Sequence, residues 1–289
     1  MKTFLVLTDF SEAAYYAASY GCVLAKQLGV SRIVLYHSYK AIITPGESIV
    51  YSGDEKELHS LAVKALEELA ASLADQLPAG CDLKYTTNTN SLEEINRIVS
   101  AENADMIVMG TTGKGKLEEM VAGSHAITVC EISDVPVVLV PSGLHMQAPS
   151  NMVFACDLKE TERLPKEKIT DLLDTFYLPL SVLHIQKEDK EMSPEESSET
   201  MELTKWLETY HPAYRDIENE DTATGILEFA EGLTGSIILL IAKKHGFPSG
   251  LFHRSITKQL AFHSTAPLLV LREKEEDAIP VPVMPLLEI

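Results

Sequence analysis

The two halves of this chain carry the same succession of strand-like and helix-like patterns, and this internal repeat restricts the possible folds more than any other feature. The matching segments are Phe4–Asp9 with Met152–Asp157, Ile33–His37 with Ser181–His184, Met106–Met109 with Ile238–Ile241, and Val135–Val140 with Ala266–Leu271. Each copy is about 140 residues long, which is the size of one domain. The chain is therefore predicted to contain two copies of one domain.

Within each copy, nearly continuous Val, Ile and Leu runs alternate with segments of helical periodicity. Such runs are typical of parallel strands that are buried on both faces, and the alternation predicts right-handed crossovers. The expected strands are 3–8, 32–37, 82–87, 105–109, 136–140, 152–156, 180–185, 214–218, 236–241 and 267–271. The expected helices are 11–28, 54–76, 92–102, 124–132, 165–176, 195–210, 223–232 and 254–263. The predicted fold class is α/β: two tandem doubly wound domains, each a five-stranded parallel sheet with helices on both faces.

A turn-rich linker separates the copies. Residues 141–149 contain two prolines and a glycine, which mark a boundary between domains. The predicted domains are 1–143 and 150–272, followed by a proline-rich tail, 273–289. Three prolines exclude a central strand or helix from that tail, so it is expected to form an extended surface arm or an arm that swaps onto a partner.

The chain is acidic in both halves, with a formal net charge of −19 at pH 7. Residues 1–145 contain 10 Lys and Arg against 18 Asp and Glu, and residues 146–289 contain 14 against 25. Neither half has the basic surface that neutralises nucleic-acid phosphates. DNA and RNA are therefore not expected as partners.

Cysteine usage and the apolar runs bear on the expected location of the chain. The cysteines have no zinc-like spacing, and a reducing compartment fits them; they are Cys22, Cys81, Cys130 and Cys156. The first residues show no signal-peptide pattern, and no apolar run approaches the roughly 18 residues of a membrane span. The expected location is cytoplasmic, without membrane association.

A glycine pattern follows the strand-like run 104–109. Gly110, Gly113 and Gly123 are spaced as G-x2-G-x9-G-S, and Ser124 completes the pattern at the start of a helical segment. Glycines let the backbone approach a ligand closely, and backbone N–H groups at a helix N-terminus are suited to phosphate. The pattern occurs in full only in the first copy, where it indicates a nucleotide site.

These residues resemble the universal stress protein family in its tandem two-domain form. The resemblance rests on Thr8-Asp9-Phe10-Ser11 after the first strand, on His37 after the second, on the glycine spacing of the family's ATP-binding branch, and on the closing strand Val135–Val140. It implies an adenine nucleotide α-hydrolase-like fold. It also implies ATP at the carboxyl ends of the strands, with Mg²⁺ as a companion of the phosphates.

The resemblance further implies the residues that contact the nucleotide. In order from base to phosphates, they are Thr8 and Asp9 at ribose and adenine, His37 and Ser38 beside the base, Met109 and Gly110 at base and sugar, Thr112 and Gly113 on the phosphate side, and Gly123, Ser124 and His125 at the phosphates. Structural roles compete with some of these assignments. Asp9 and Ser124 also fit helix or turn caps, and His37 also fits a rim histidine.

Two departures from the family pattern concern the phosphate region. His125 and Ala126 stand where ATP-binding members often have a small apolar residue and then a hydroxyl residue. Ala126 removes one hydrogen bond to phosphate, whereas His125 either donates to the phosphates or blocks the pocket. In the second copy the glycines are lost, with Arg254 at the position of Gly123 and Ala242 near that of Gly110, so a degenerate site is expected there.

The leading functional hypothesis is an ATP-binding regulatory protein that acts through nucleotide-dependent contact with an unidentified protein. A scaffold of the same fold without nucleotide is the alternative, and a slow ATPase is a weaker one. No catalytic residues or metal ligands are assigned, since no P-loop or nucleophile elbow is present. Val137–Val140 and Leu268–Leu271 are expected to pair within the chain as a pseudo-dimer, and a homodimer remains open.

Overall fold

The computed structural model describes residues 1–39, 55–111, 119–157, 161–186, 194–242 and 254–274. Its strands are β1 (Thr3–Leu7), β2 (Arg32–Ser38), β3 (Asp82–Asn88), β4 (Met106–Thr111), β5 (Val137–Pro141), β6 (Asn151–Ala155), β7 (Leu180–Gln186), β8 (Ala213–Glu218), β9 (Ser236–Ala242) and β10 (Leu268–Arg272). Its helices are α1 (Glu12–Leu28), α2 (Glu55–Leu73), α3 (Ile95–Glu102), α4 (Glu119–Ile132), α5 (Lys166–Phe176), α6 (Pro194–Leu207), α7 (Thr222–Glu231) and α8 (Arg254–His263).

All of these strands lie in one sheet with the order β3-β2-β1-β4-β5-β10-β9-β6-β7-β8. Neighbouring strands are parallel within each half, as buried Val, Ile and Leu runs predict. The two halves join where β5 and β10 run antiparallel, with Leu139 opposite Leu268 and Val138 opposite Leu269. The intramolecular pairing that the sequence predicts is therefore present.

The apolar core has two layers, one on each face of the sheet. Helices α1, α2, α5 and α6 bury their apolar sides in one layer, and α3, α4, α7 and α8 bury theirs in the other. Each layer contains residues of both halves; Val6 and Phe154, for example, belong to the same cluster. The α/β architecture with helices on both faces is thus confirmed, and each of the two core layers continues from one half into the other.

The ends of the strands agree with the sequence-based expectations to within two residues, as do those of α1, α5, α7 and α8. Helices α2, α3 and α6 each differ from the expectation by three residues at one end, where a 3₁₀ turn continues the helix. Helix α4 begins at Glu119 rather than near residue 124. The repeat alignment also needs a correction by one residue. Val6 pairs with Val108, and its counterpart Phe154 pairs with Leu239, so Met106–Met109 corresponds to Ile237–Leu240 rather than to Ile238–Ile241.

The segment between β5 and β6 contains neither strand nor helix. We therefore retain residues 1–143 and 150–272 as proposed domain boundaries. Of the predicted tail, Glu273 and Lys274 are described, and 275–289 lie outside the described residues. Within the described part of the chain, no helix combines the length and the apolar character that a bilayer crossing requires.

Candidate functional site

The candidate site lies where the order of the strands reverses in the first half. Strand β1 pairs with β2 on one side and with β4 on the other. The chain therefore runs from β1 to β2 and β3 on one side and then crosses back to β4 on the other side. The carboxyl ends of parallel strands at such a switch point form the usual ligand crevice of doubly wound sheets. Thr8, His37 and Gly110 stand at the ends of these three strands.

The turn after β1 is held by its own side chains. The Thr8 backbone N–H donates to the Tyr36 carbonyl at 2.9 Å, and the Thr8 hydroxyl accepts the Phe10 N–H at 3.0 Å. Asp9 Oδ1 accepts the Ser11 N–H at 3.0 Å. Ser11 then caps α1 by accepting the Ala14 N–H at 3.2 Å. Asp9 thus has the expected structural role, while its exposed carboxylate keeps Oδ2 without a hydrogen bond to the described residues.

His37 is positioned by both its backbone and its ring. Nδ1 lies 2.8 Å from the Thr8 carbonyl oxygen, and the His37 carbonyl accepts the Thr87 hydroxyl at 2.8 Å. Phe10 packs against the imidazole with ring centroids 4.5 Å apart. Phe10 has φ +64° and its side chain is 38% exposed, so an aromatic side chain borders the crevice. From the sequence, Phe10 is recognisable only as part of a turn, and its place directly after Asp9 is the one signal of a position at the crevice.

The strand next to β2 supplies a polar support for this side of the site. Asn88 Oδ1 accepts the Tyr36 hydroxyl at 2.7 Å and the Asn90 N–H at 2.9 Å. The Ser38 hydroxyl donates to the Asn90 carbonyl. Burial raises the pKa of Tyr36. The Ser38 hydroxyl is therefore engaged within the protein rather than directed to a ligand.

Strand β4 contains two of the predicted site residues, Met109 and Gly110. Met109 is buried in the core layer of α3 and α4. Gly110 lies under the first turn of α1, where an added Cβ would fall 2.6 Å from the Ala13 carbonyl carbon and still closer to its oxygen. Only glycine permits this approach of helix and strand. The requirement for Gly110 thus comes from α1 in addition to any ligand.

Part of the predicted phosphate region, Thr112 and Gly113, lies outside the described residues. Gly123 and Ser124 fall in the second turn of α4, because that helix begins at Glu119. The His125 side chain is exposed and does not fill a buried pocket, whereas Ala126 is fully buried in the core. Ala126 therefore faces the sheet, and a hydroxyl at this position would not be exposed to a ligand in this arrangement.

The corresponding edge of the second half is built differently. In the corrected register, Ile241 stands at the position of Gly110, with a side chain where the first half has none. The connection from β6 to α5 is longer than that from β1 to α1 and contains a 3₁₀ turn, Thr161–Arg163. Arg163 Nη1 lies 3.9 Å from Glu273 Oε1, and the Lys274 N–H donates to the Arg163 carbonyl at 3.1 Å. The protein's own residues therefore tie this edge together.

A histidine again lies near the carboxyl end of the second strand of this half, as the repeat predicts. The strand register confirms that His184 is the counterpart of His37. His184 Nδ1, however, lies 3.3 Å from Asp216 Oδ1 rather than beside a backbone carbonyl. The described residues contain no group of three or more His, Cys, Asp or Glu side chains placed to hold a metal ion.

Comparison with known proteins gives consistent results. A model of the universal stress protein family matches residues 1–141. A universal stress protein from Methanocaldococcus jannaschii is 29% identical over 142 residues, which make up 48% of this chain and 81% of that relative.

Solved structures extend the likeness to both halves of the chain. The crystal structure of a universal stress protein from Archaeoglobus fulgidus has a TM-score of 0.69 and 18% identity, covering 94% of this chain and 97% of that one. A functionally unknown protein from Pseudomonas aeruginosa has a TM-score of 0.57 and 13% identity, covering 94% and 93%. At these identities the structural likeness shows the fold alone.

Proposed function

We infer that this chain, which belongs to the universal stress protein family through its amino-terminal half, binds one adenine nucleotide at the β1–β4 switch point and acts in stress response through nucleotide-dependent contacts. ATP is the proposed ligand, with Mg²⁺ carried on its phosphates. A protein partner and a cytoplasmic location belong to the same proposal.

The observation that carries this proposal is the convergence of Thr8, Asp9 and His37 at one crevice edge. Three strand ends meet there, an exposed carboxylate oxygen of Asp9 is available to accept ribose hydroxyls or the adenine amino group, and Phe10 lies beside it. Backbone turns with fixed geometry hold these groups in place before a ligand arrives. The glycine spacing after β4 supplies the expected phosphate segment.

We propose that the second half binds no nucleotide, so that each chain binds one. Ile241 occupies the close-approach position, and Arg163 and Glu273 pair across the neighbouring edge. A nucleotide in the pose proposed for the first half would meet these side chains. We therefore assign the second half a structural role, as a folded partner that completes the sheet.

The repeat supplies a matched pair of variants for a test by calorimetric titration of ATP. Asp9→Ala removes the proposed ligand contact, and Asp157→Ala makes the same change at the equivalent turn of the second half. We expect Asp9→Ala to lower ATP affinity by about tenfold or more, the effect of a charge-assisted hydrogen bond, and Asp157→Ala to leave it unchanged. Gly113→Ala should weaken the binding of ATP more than the binding of adenosine.

The proposal is refuted if the wild-type protein does not bind ATP at millimolar concentrations, or if both Asp variants bind ATP with the affinity of the wild type. Phosphate release measured in parallel with the Gly113→Ala variant tests whether binding leads to slow hydrolysis. Hydrolysis that persists unchanged in a variant that no longer binds ATP would indicate contamination.

One observation favours the second candidate, a scaffold that binds no nucleotide. Because α4 begins at Glu119, a regular helix engages the Gly123 N–H with the Glu119 carbonyl instead of leaving it at a helix terminus. A scaffold predicts thermal midpoints that do not change with ATP, whereas a specific ligand raises the midpoint by mass action. Thermal melts with and without ATP therefore separate the two candidates.

A further inference from the structure

A cavity of about 420 Å³ lies away from the β1–β4 switch point, where the linker meets the second half. Its walls come from α1, from the linker residues that follow β5, and from the turns that precede β9 and β10. The volume is within the range of small-molecule sites.

Tyr20 of α1 supplies a buried hydroxyl at the cavity wall. Its side chain is 1% exposed, and its hydroxyl makes no hydrogen bond to any described residue. Burial alone raises the pKa of Tyr20, with no hydrogen-bonding contribution. Because buried tyrosine hydroxyls usually find a partner, the partner of Tyr20 is expected inside the cavity.

Water is a poor permanent occupant for this space. A cavity of this volume holds many water molecules, and each needs two to four polar partners to be well held. Leu144, Leu233 and Pro267 supply apolar wall instead. Loosely held water that lies against apolar surface is favourably displaced by a ligand of suitable shape.

The charge of the lining restricts the chemistry of the occupant. Glu231 contributes a carboxylate and His145 an imidazole, and no lysine or arginine is among the described residues of the lining. The Glu231 carboxylate accepts the Thr265 hydroxyl at 3.4 Å, so a carboxylate is held at the rim. In a chain of net charge −19, this lining disfavours nucleotides and other anions.

We propose that this cavity binds an uncharged organic compound that offers a hydrogen-bond acceptor to the Tyr20 hydroxyl and a ring or other apolar body to Leu144 and Pro267. The site is separate from the proposed nucleotide site and does not depend on it.

Benzamide is a suitable probe because it is neutral and carries a carbonyl on a ring, and benzoate is its anionic counterpart of the same shape. Both compounds are titrated into the full chain in the same buffer, and binding is followed by ligand-observed NMR. We expect benzamide to bind at concentrations up to about 10 mM, and benzoate to bind at least fivefold more weakly.

Three variants locate the binding. Thr234→Trp places a bulky side chain at the exposed cavity rim and should abolish benzamide binding. Tyr20→Phe should weaken it about fivefold, the effect of one neutral hydrogen bond. Tyr36→Phe removes a hydroxyl of the same kind outside this cavity and should leave benzamide affinity unchanged. Thermal melts of each variant confirm that the protein is folded.

The proposal is overturned if benzamide fails to bind at about 10 mM, if benzoate binds equally well, or if Thr234→Trp binds benzamide like the wild type. It is also overturned if Tyr20→Phe and Tyr36→Phe behave alike. ATP titrations of the same Thr234→Trp variant separate this result from the nucleotide proposal, since ATP affinity should not change.

Discussion

At the scale of single residues, two glycines of the first half occupy opposite situations. A Cβ on Gly110 would collide with the backbone of Ala13, whereas a Cβ on Gly21 in the middle of α1 would lie 3.5 Å from a Val6 methyl, an ordinary contact. Gly110 is thus required by packing, and Gly21 is a helical glycine with room for a methyl group. The same substitution should therefore change stability in opposite directions.

We predict that Gly110→Ala lowers the free energy of unfolding by about 1–3 kcal/mol, because α1 must move away from β4. Gly21→Ala should raise it by about 0.5–1 kcal/mol, because alanine loses less conformational freedom in a helix. Urea denaturation followed by circular dichroism measures both. Equal effects of the two changes would refute the packing role of Gly110.

At the scale of elements, the ends of α1 and α5 provide a second contrast. Both helices end with a residue in the left-handed region, Gly29 with φ 65° and Tyr177 with φ 46°. Glycine adopts this conformation without strain, whereas a residue with a Cβ does not. Tyr177 is 92% exposed, so its ring contributes little packing that offsets the strain.

We predict that Tyr177→Gly raises the free energy of unfolding by about 0.5–1 kcal/mol, and that Gly29→Ala lowers it by about 1 kcal/mol. Tyr177→Ala is the control, because it removes the ring and keeps the Cβ; it should leave stability nearly unchanged. Thermal and urea melts are the measurements. If Tyr177→Ala stabilised the protein as much as Tyr177→Gly, loss of the ring rather than relief of strain would be responsible.

Local patterns predicted the elements well where they are regular and less well where they are not. The strands are continuous apolar runs with turn residues on both sides, so their ends were found to within one or two residues. The start of α4 was missed because glycines interrupt the helical pattern there. Ser91 and Glu94 have the spacing of a capping box, but the Ser91 side chain makes no capping hydrogen bond and its hydroxyl donates to Glu93 Oε2 at 3.1 Å.

At the scale of the whole molecule, β5 and β10 join the halves into one sheet, and both core layers cross the junction. Arg272 reinforces the contact: Nη2 lies 2.8 Å from Asp134 Oδ1, and Nη1 donates to the Ile132 carbonyl at 3.2 Å. Two domains with a shared core are expected to unfold together rather than one after the other.

We predict that Leu5→Ala in β1 lowers stability by about 2–5 kcal/mol and shifts the unfolding of both halves equally. Trp206, the single tryptophan, packs against the core in the second half and reports on that half by fluorescence. Its transition should move together with the transition measured by circular dichroism. Leu61→Ala, on the exposed side of α2, should move neither. An unshifted Trp206 transition would show that the halves unfold independently.

The amino-acid sequence alone determined the α/β class, the repeat and the order of the elements, because these follow from patterns within a few residues of one another, and it predicted the residues of the candidate site. The tertiary structure decided what depends on distant segments. It placed Ile241 rather than Ala242 at the position equivalent to Gly110, and it packed Phe10 against His37. It also formed the cavity between α1, the linker and the turns before β9 and β10. Registers and cavities arise when strands and helices far apart in the chain pack together, and no local pattern records that packing.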